Sequence, residues 1–452
     1  MVVAFASPKF WLGILARRNP AMLAALAYIG YSLAGALVLT LPVMRDVART
    51  EPLGFVDALF TSASAVSTTG LVTLDPASTF SLAGEIIILF LIQIGGLGYM
   101  TLMSFAYIIL RDRLSPVQTR LTRSSFGLPS NIEMASFVWR ATVFTLAIEA
   151  VGALFLWRLF RNAGTPDALW NGIFHSVSAF CTAGFARFPT SFEAYSDNGA
   201  MLMVLAVLSY LGALGFVVLV ETFEAVAIRP RRLSVTTRLT LQMSFWLAAA
   251  ATLFFLIFEP SIRSLPVASQ LSNAFFQAMT ASTTVGFNSV PVGGLAPAAI
   301  MVVYLLMFVG ASPAGTGGGL KSTTAAVLAA TVLASLRGWR KIALGRYVLP
   351  EQRVLQAMAT LVIALFVIFA AVVMLDLTGS YAFDKALFEV ISALGTVGLS
   401  MGLTAELNDA GKLIIVVVML IGRIGILTFF ISLATANAAT EPEIMPKRDV
   451  IL

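Results

Sequence analysis

Four copies of one eleven-residue pattern constrain this chain more than any other feature. FTSASAVSTTG ends at Gly70, FHSVSAFCTAG at Gly184, FQAMTASTTVG at Gly286 and FEVISALGTVG at Gly398. Each opens on Phe, has Ser or Thr at its fifth position, Ala at its sixth and Thr at its ninth, and closes on Gly. The four glycines recur at near-equal intervals, so the chain is expected to build four equivalent units around one axis. Polar, glycine-ended motifs set in so apolar a chain point to a pore on that axis.

Composition places the object in a membrane. Of the 452 residues 58% are hydrophobic and only 12% charged, and the mean hydropathy is +0.91. That charge cannot cover a soluble surface, and apolar runs of about 20 residues recur throughout. One Cys excludes an internal disulfide and a multi-Cys metal site, and one His argues against a His metal centre or a Ser-His-Asp triad. Spans are expected near 21–42, 84–110, 136–160, 199–228, 238–258, 298–336, 354–376 and 412–437, one before and one after each motif. The fold class is therefore an all-α polytopic membrane protein. It has four tandem helix–pore loop–helix repeats, with eight spans and four re-entrant loops. The repeats occupy 21–111, 136–228, 238–337 and 354–437, between an N-terminus at 1–20 and a tail at 438–452.

Most of the 29 Lys and Arg fall on one side of these spans. They include Lys9, Arg17 and Arg18, then Arg111, Arg113, Arg120 and Arg123, then Arg229, Arg231, Arg232 and Arg238. Arg337, Arg340, Lys341, Arg346, Arg353, Lys447 and Arg448 belong to the same face, and Arg140 lies near it. By the positive-inside rule that face and both termini are cytoplasmic, and the motifs enter from outside. The same distribution argues against a nucleic-acid partner despite the net charge of +6. No cleavable signal peptide is expected, because the first apolar run is too long and leads into the first repeat.

Non-helical backbone survives at membrane depth only where it lines water, an ion or protein. Glycine permits conformations that turn carbonyls toward an axis, and rings of carbonyls replace the water around a monovalent cation. The candidate filter residues are Ser67, Thr68, Thr69 and Gly70; Cys181, Thr182, Ala183 and Gly184; Thr283, Thr284, Val285 and Gly286; and Gly395, Thr396, Val397 and Gly398. None is charged, which favours a monovalent cation such as K⁺ over divalent cations or anions. Short pore helices are expected before each motif, N-capped by Asp57, Asn171, Asn273 and Asp384. Their negative C-terminal ends would face the axis.

With these motifs the chain resembles the Trk/Ktr/HKT superfamily of K⁺ transporters from about residue 20 to 440, and within it the Ktr-type membrane subunit. Gly70, Gly184, Gly286 and Gly398 match the family's one filter glycine per repeat. The resemblance implies K⁺ as transported ion, with Na⁺ as a second candidate cargo or an activator. It also implies a homodimer with one pore per protomer, and a KtrA-like cytosolic nucleotide-binding ring that controls the gate. The chain itself carries neither a Rossmann fingerprint nor a Walker loop, so nucleotide control would come from that partner.

The sixth expected span is broken by MFVGASPAGTGGGLKSTTAAV, from Met307 to Val327. Gly310, Pro313, Gly315, Gly317, Gly318 and Gly319 cannot sustain a helix interior, and no other trailing span shows such a break. The family has a gating loop here, which implies a gate formed by these residues with Ser312, Thr316, Lys321 and Arg423. Ser312, Thr316, Ser322, Thr323 and Thr324 offer hydroxyls to the freed backbone. Arg423 lies mid-span, where a cation costs about 2.5–3.5 kcal/mol unless it meets water, an acid or carbonyls. It lines the pore in the family; Glu149 is the other candidate partner. His175 reads as a packing residue, Gln277 and Glu389 as filter buttresses, and Gly95, Gly96, Gly98, Gly212 and Gly215 as close-packing points. A secondary transporter of organic solutes would use inverted repeats, whereas these repeats share one orientation. An intramembrane enzyme would need a nucleophile–base pair that one His and one Cys scarcely provide.

Overall fold

The computed structural model describes residues 20–46, 52–110, 134–228, 233–313, 315–345 and 347–434. Both expected termini and most of the basic face at 111–133 and 229–232 lie outside these residues.

Each repeat is a leading helix, a short helix carrying the motif, and a trailing helix. The leading helices are Pro20–Leu39, Met134–Asn162, Val235–Phe258 and Glu351–Thr378. Among the described residues these four contain windows long and apolar enough to cross a membrane. Their outward faces show why the chain cannot live in water. Leu37, Phe155, Trp246 and Phe369 are all at least 60% exposed, a cost in water that lipid removes.

The short helices are Phe55–Val66, Ala168–Phe180, Val267–Thr283 and Phe383–Gly395. They begin earlier than the sequence suggests, with Gly54, Asp167, Pro266 and Ala382 at the cap positions and no side-chain cap bond. Asp57, Asn171, Asn273 and Asp384 therefore lie inside the helices, not at their caps. Asn171 and Asn273 instead tie their helices to preceding loops, donating to Pro166 O at 2.9 Å and to Ser196 O at 2.8 Å. Asp57 accepts an ion pair from Lys412 at 2.8 Å, joining the first repeat to the fourth.

The trailing helices are less regular than expected. The first runs from Leu82 to Leu110. The second breaks at Gly215 into Gly199–Leu214 and Phe216–Phe223, bent by 99°. The third divides into Pro297–Phe308 and Ser322–Leu336, and the fourth breaks at Gly425 into Asp409–Ile424 and Ile426–Ala434. The third break is thus one of three. Gly215 and Gly425 both carry positive φ, 79° and 97°, which ends a helix without any proline to announce it. A small antiparallel hairpin, Ala343–Leu344 with Tyr347–Val348, bridges the third and fourth repeats.

Burial closes the units on one another. One cluster packs Tyr28 and Phe60 of the first repeat against Leu375 and Met419 of the fourth. A second joins Met307 of the third to Phe388 of the fourth, and a third joins Phe160 and Phe192 of the second to Phe276 of the third. The opening Phe of every motif (Phe60, Phe174, Phe276, Phe388) is fully buried, which accounts for its recurrence.

Candidate functional site

The short helices all deliver their C-terminal ends to one place, and the constant motif residues hold the segment that follows. The fifth-position carbonyl accepts from the tenth-position N–H in every copy: Thr69 N to Ser64 O, Ala183 N to Ser178 O, Val285 N to Thr280 O and Val397 N to Ser392 O, at 2.8–3.1 Å. In the first and fourth copies the fifth-position hydroxyl also accepts from the closing glycine, Gly70 N to Ser64 Oγ and Gly398 N to Ser392 Oγ, both at 3.1 Å.

The ninth residue is left-handed in all four copies: Thr68 at φ 52°, Thr182 at 50°, Thr284 at 59° and Thr396 at 49°. A β-branched residue there is an outlier, costing roughly 1–3 kcal/mol each, and four equivalent outliers mark a functional constraint. Each closing glycine is left-handed again, at φ 67–89°.

The glycines form a closed ring. A Cβ added at Gly70 would strike the Ala183 carbonyl oxygen, one at Gly184 that of Val285, one at Gly286 that of Val397, and one at Gly398 that of Thr69. The order first, second, third, fourth and back to first is the cyclic arrangement expected from the repeats. All sixteen candidate filter residues gather here, and none but Gly184 and Gly398 is more than slightly exposed.

Directly against the ring lies the glycine-rich segment after Phe308. It is buried at Gly310, Ala311, Ser312 and Thr316–Leu320, so it is not a surface loop. Its Gly317 and Gly318 meet the hydroxyls of Thr284 and Thr396, where any side chain would collide. Its backbone is satisfied by the break in the second trailing helix: Ser312 N donates to Ala213 O at 3.3 Å and Thr316 N to Gly212 O at 3.2 Å. A helix end leaves carbonyls without partners, and this one hands them to the segment. Thr316 Oγ1 donates to Phe180 O at 3.3 Å and Ser312 Oγ to Pro313 O at 3.1 Å, whereas the Ser322 hydroxyl has no partner among the described residues.

Arg423 and Lys321 are the cations at this place. Arg423 donates to the carbonyls of Thr316 and Gly95, not to Glu149. Glu149 is held by Gln93 Nε2 at 3.2 Å and lies 3.7 Å from Cys181 Sγ. Lys321 Nζ donates to Gly317 O at 2.6 Å. A cavity of about 280 Å³ lies among Gly96, Phe180, Thr316, Lys321, Arg423 and Gly425, with no Asp or Glu in its wall.

The surrounding residues anchor the ring. His175 is fully buried and stacked on Phe188 at 5.0 Å. Its Nε2 accepts from Arg187 N at 3.1 Å, so its Nδ1 carries the proton toward Asn171 O at 2.8 Å. Arg187 pairs with the buried Glu85 at 2.7 Å. Glu389 accepts from Ser400 Oγ at 2.9 Å and from Thr404, tying the fourth short helix to the chain beyond its glycine. Gln277 is buried with both polar atoms unpartnered among the described residues. Gly95, Gly96 and Gly212 do permit close contact, with Val66, Cys181 and Phe180 respectively, whereas Gly215 serves as a break. The packing of Gly98 lies outside the described side chains. On the loops that follow the second and third motifs, Asn288 Nδ2 donates to Glu193 at 2.6 Å, and partial burial raises the Glu193 carboxyl from its ordinary value.

Residues 37–439 match the TrkH family, described as cation transport protein. The chain is 36% identical to Ktr system potassium uptake protein B of Bacillus subtilis, over 92% of this chain and 94% of that one. It is 36% identical to the protein of the same name from Vibrio alginolyticus, over 93% and 91%. It is 32% identical to potassium/sodium uptake protein NtpJ of Enterococcus hirae, over 96% and 98%. The crystal structure of the potassium transporter TrkH from Vibrio parahaemolyticus superposes with a TM-score of 0.75 at 20% identity, covering 93% of this chain and 85% of that one. That likeness establishes the fold.

Proposed function

The chain belongs to the TrkH family of cation transport proteins, and we propose that it is the pore-forming membrane subunit of a K⁺ uptake system. The observation that carries this reading is the closed ring of four uncharged, glycine-ended segments at the ends of four short helices. Carbonyls of Thr69, Ala183, Val285 and Val397 and their neighbours would replace the hydration shell of K⁺. The helix C-termini add partial negative charge around the ion. Relatives named for potassium uptake agree with this cargo, and the Enterococcus relative, named for both ions, keeps Na⁺ as a second.

Each repeat would contribute two spans and one re-entrant loop, eight spans in all, with both termini cytoplasmic. K⁺ then moves inward, pulled by the membrane potential at about 2.3 kcal/mol per charge per 100 mV. Residues 310–321 are the gate: they press on the ring, while Arg423 and Lys321 present positive charge on the route below it. The subunit works as a homodimer, and a cytosolic nucleotide-binding ring docks on the basic face to move the gate. Two relatives are named as protein B of a Ktr system, which is the support for such a partner.

Expression in bacteria stripped of their own K⁺ uptake tests the reading. Growth at limiting K⁺ should be restored by the chain together with its regulatory partner, or by the chain lacking 311–319 alone. Growth restored by neither, with protein present in the membrane, would refute it.

A further inference from the structure

The ring and the glycine-rich segment share hydrogen bonds, and they share them unequally. Thr68, Thr182, Thr284 and Thr396 occupy one position of the repeat, are fully buried and have one backbone conformation. Four-fold symmetry would give them one environment, yet they have two. Thr182 Oγ1 donates to Thr316 Oγ1 at 3.0 Å, and Thr68 Oγ1 to the Thr316 carbonyl at 3.4 Å. The hydroxyls of Thr284 and Thr396 have no hydrogen-bond partner among the described residues, and Gly317 and Gly318 of the segment lie against them. Thr316 itself is held further by Gly212 O, Phe180 O and Arg423.

We infer that Thr68 and Thr182 are the latch of the gate: their hydroxyls hold Thr316, and through it residues 310–321, against the ring, while Thr284 and Thr396 take no part in closure. This rests on the reading of 310–321 as a gate. It assigns opposite effects to residues that the repeat makes equivalent. Removing a latch hydroxyl weakens the closed state. Removing one of the other two strips the ring of a polar group without releasing the segment.

The test is ⁸⁶Rb⁺ flux into liposomes holding the purified chain without any partner, per folded protein by size exclusion. Thr182→Val should raise this basal flux about five-fold, the net effect of one hydrogen bond, and Thr68→Val by less. Thr284→Val and Thr396→Val should lower it. Thr182 Oγ1 also lies 2.8 Å from Cys181 O, so Thr316→Val tests the contact from the segment's side: it removes the bond to Thr182 together with the one to Phe180 O and should leak at least as much. The pair Thr182→Val with Thr316→Val should leak no more than Thr316→Val alone, because the bond between the two hydroxyls is already lost in that variant. Thr182→Ser, which keeps the hydroxyl, should restore closure. Equal effects in all four threonine variants would overturn the latch. So would a tight Thr182→Val beside a leaking 311–319 deletion. A deletion that itself fails to leak would remove the gate, and the latch with it.

Discussion

Serine at Gly286 should damage ion selection through a neighbouring repeat. Gly286 stands at φ 87°, where an L side chain costs about 1–2 kcal/mol. Its added Cβ would strike the Val397 carbonyl oxygen and lie 3.0 Å from the Cα of Gly398. These are backbone atoms, so the fourth segment must shift as a unit, and Gly398 in turn touches Thr69 O. If one carbonyl leaves the ion, the loss resembles one hydrogen bond to a charged group, about 1.5–3 kcal/mol. That corresponds to a roughly 10- to 100-fold weaker apparent affinity for K⁺. K⁺ and Na⁺ competition against ⁸⁶Rb⁺ uptake, measured in the variant lacking 311–319, reads both affinity and preference. Gly294→Ala is the control, since an added Cβ there would meet nothing nearer than the Pro291 Cβ of its own turn, at 4.0 Å. Unchanged K⁺ affinity and preference in Gly286→Ser would refute the ring as the selecting element.

Other outcomes follow from the same geometry. Deleting 311–319 should raise partner-free ⁸⁶Rb⁺ flux, since it removes the segment lodged against the ring. Arg423→Gln should raise basal flux by about ten-fold or more, because it loses a charge-assisted bond to Thr316 O. Arg423→Lys should fall between, since lysine keeps the charge but lacks the planar fork that reaches both Thr316 and Gly95. Arg187→Ala should lower the melting temperature in detergent by several degrees, because it leaves the buried Glu85 carboxylate with the neutral Trp170 Nε1 donor but without its cation, a loss of about 3 kcal/mol, the low end for a broken buried pair. Glu85→Gln combined with Arg187→Met should recover part of that loss.

Much of this architecture is legible in the residues because it is periodic. The recurring Phe, the fifth-position Ser or Thr and the closing Gly each have one local job, and four copies expose it. The glycine-proline run after Phe308 declares its own break. What the sequence conceals is pairing between distant segments. Arg423 and Glu149 look like partners by charge alone. In three dimensions the guanidinium finds carbonyls that a packed Gly95 and a non-helical Thr316 make available, while Glu149 turns to Gln93. The breaks at Gly215 and Gly425 carry only single glycines, which a helix tolerates. The bend at Gly215 matters because its freed carbonyls meet the N–H groups of 312 and 316, a fact of tertiary structure. The misplaced caps have a similar cause. Asp57, Asn171, Asn273 and Asp384 are spaced like caps, but each helix starts before them and all four lie inside it.

Selective K⁺ conduction through the proposed four-glycine filter is measured most directly by ⁸⁶Rb⁺ uptake into liposomes containing the chain without 311–319, driven by an inside-negative potential and competed by K⁺, Na⁺ and Li⁺. K⁺ should suppress that uptake at far lower concentration than Na⁺ or Li⁺. Uptake suppressed equally by all three, or none above protein-free vesicles, would contradict it.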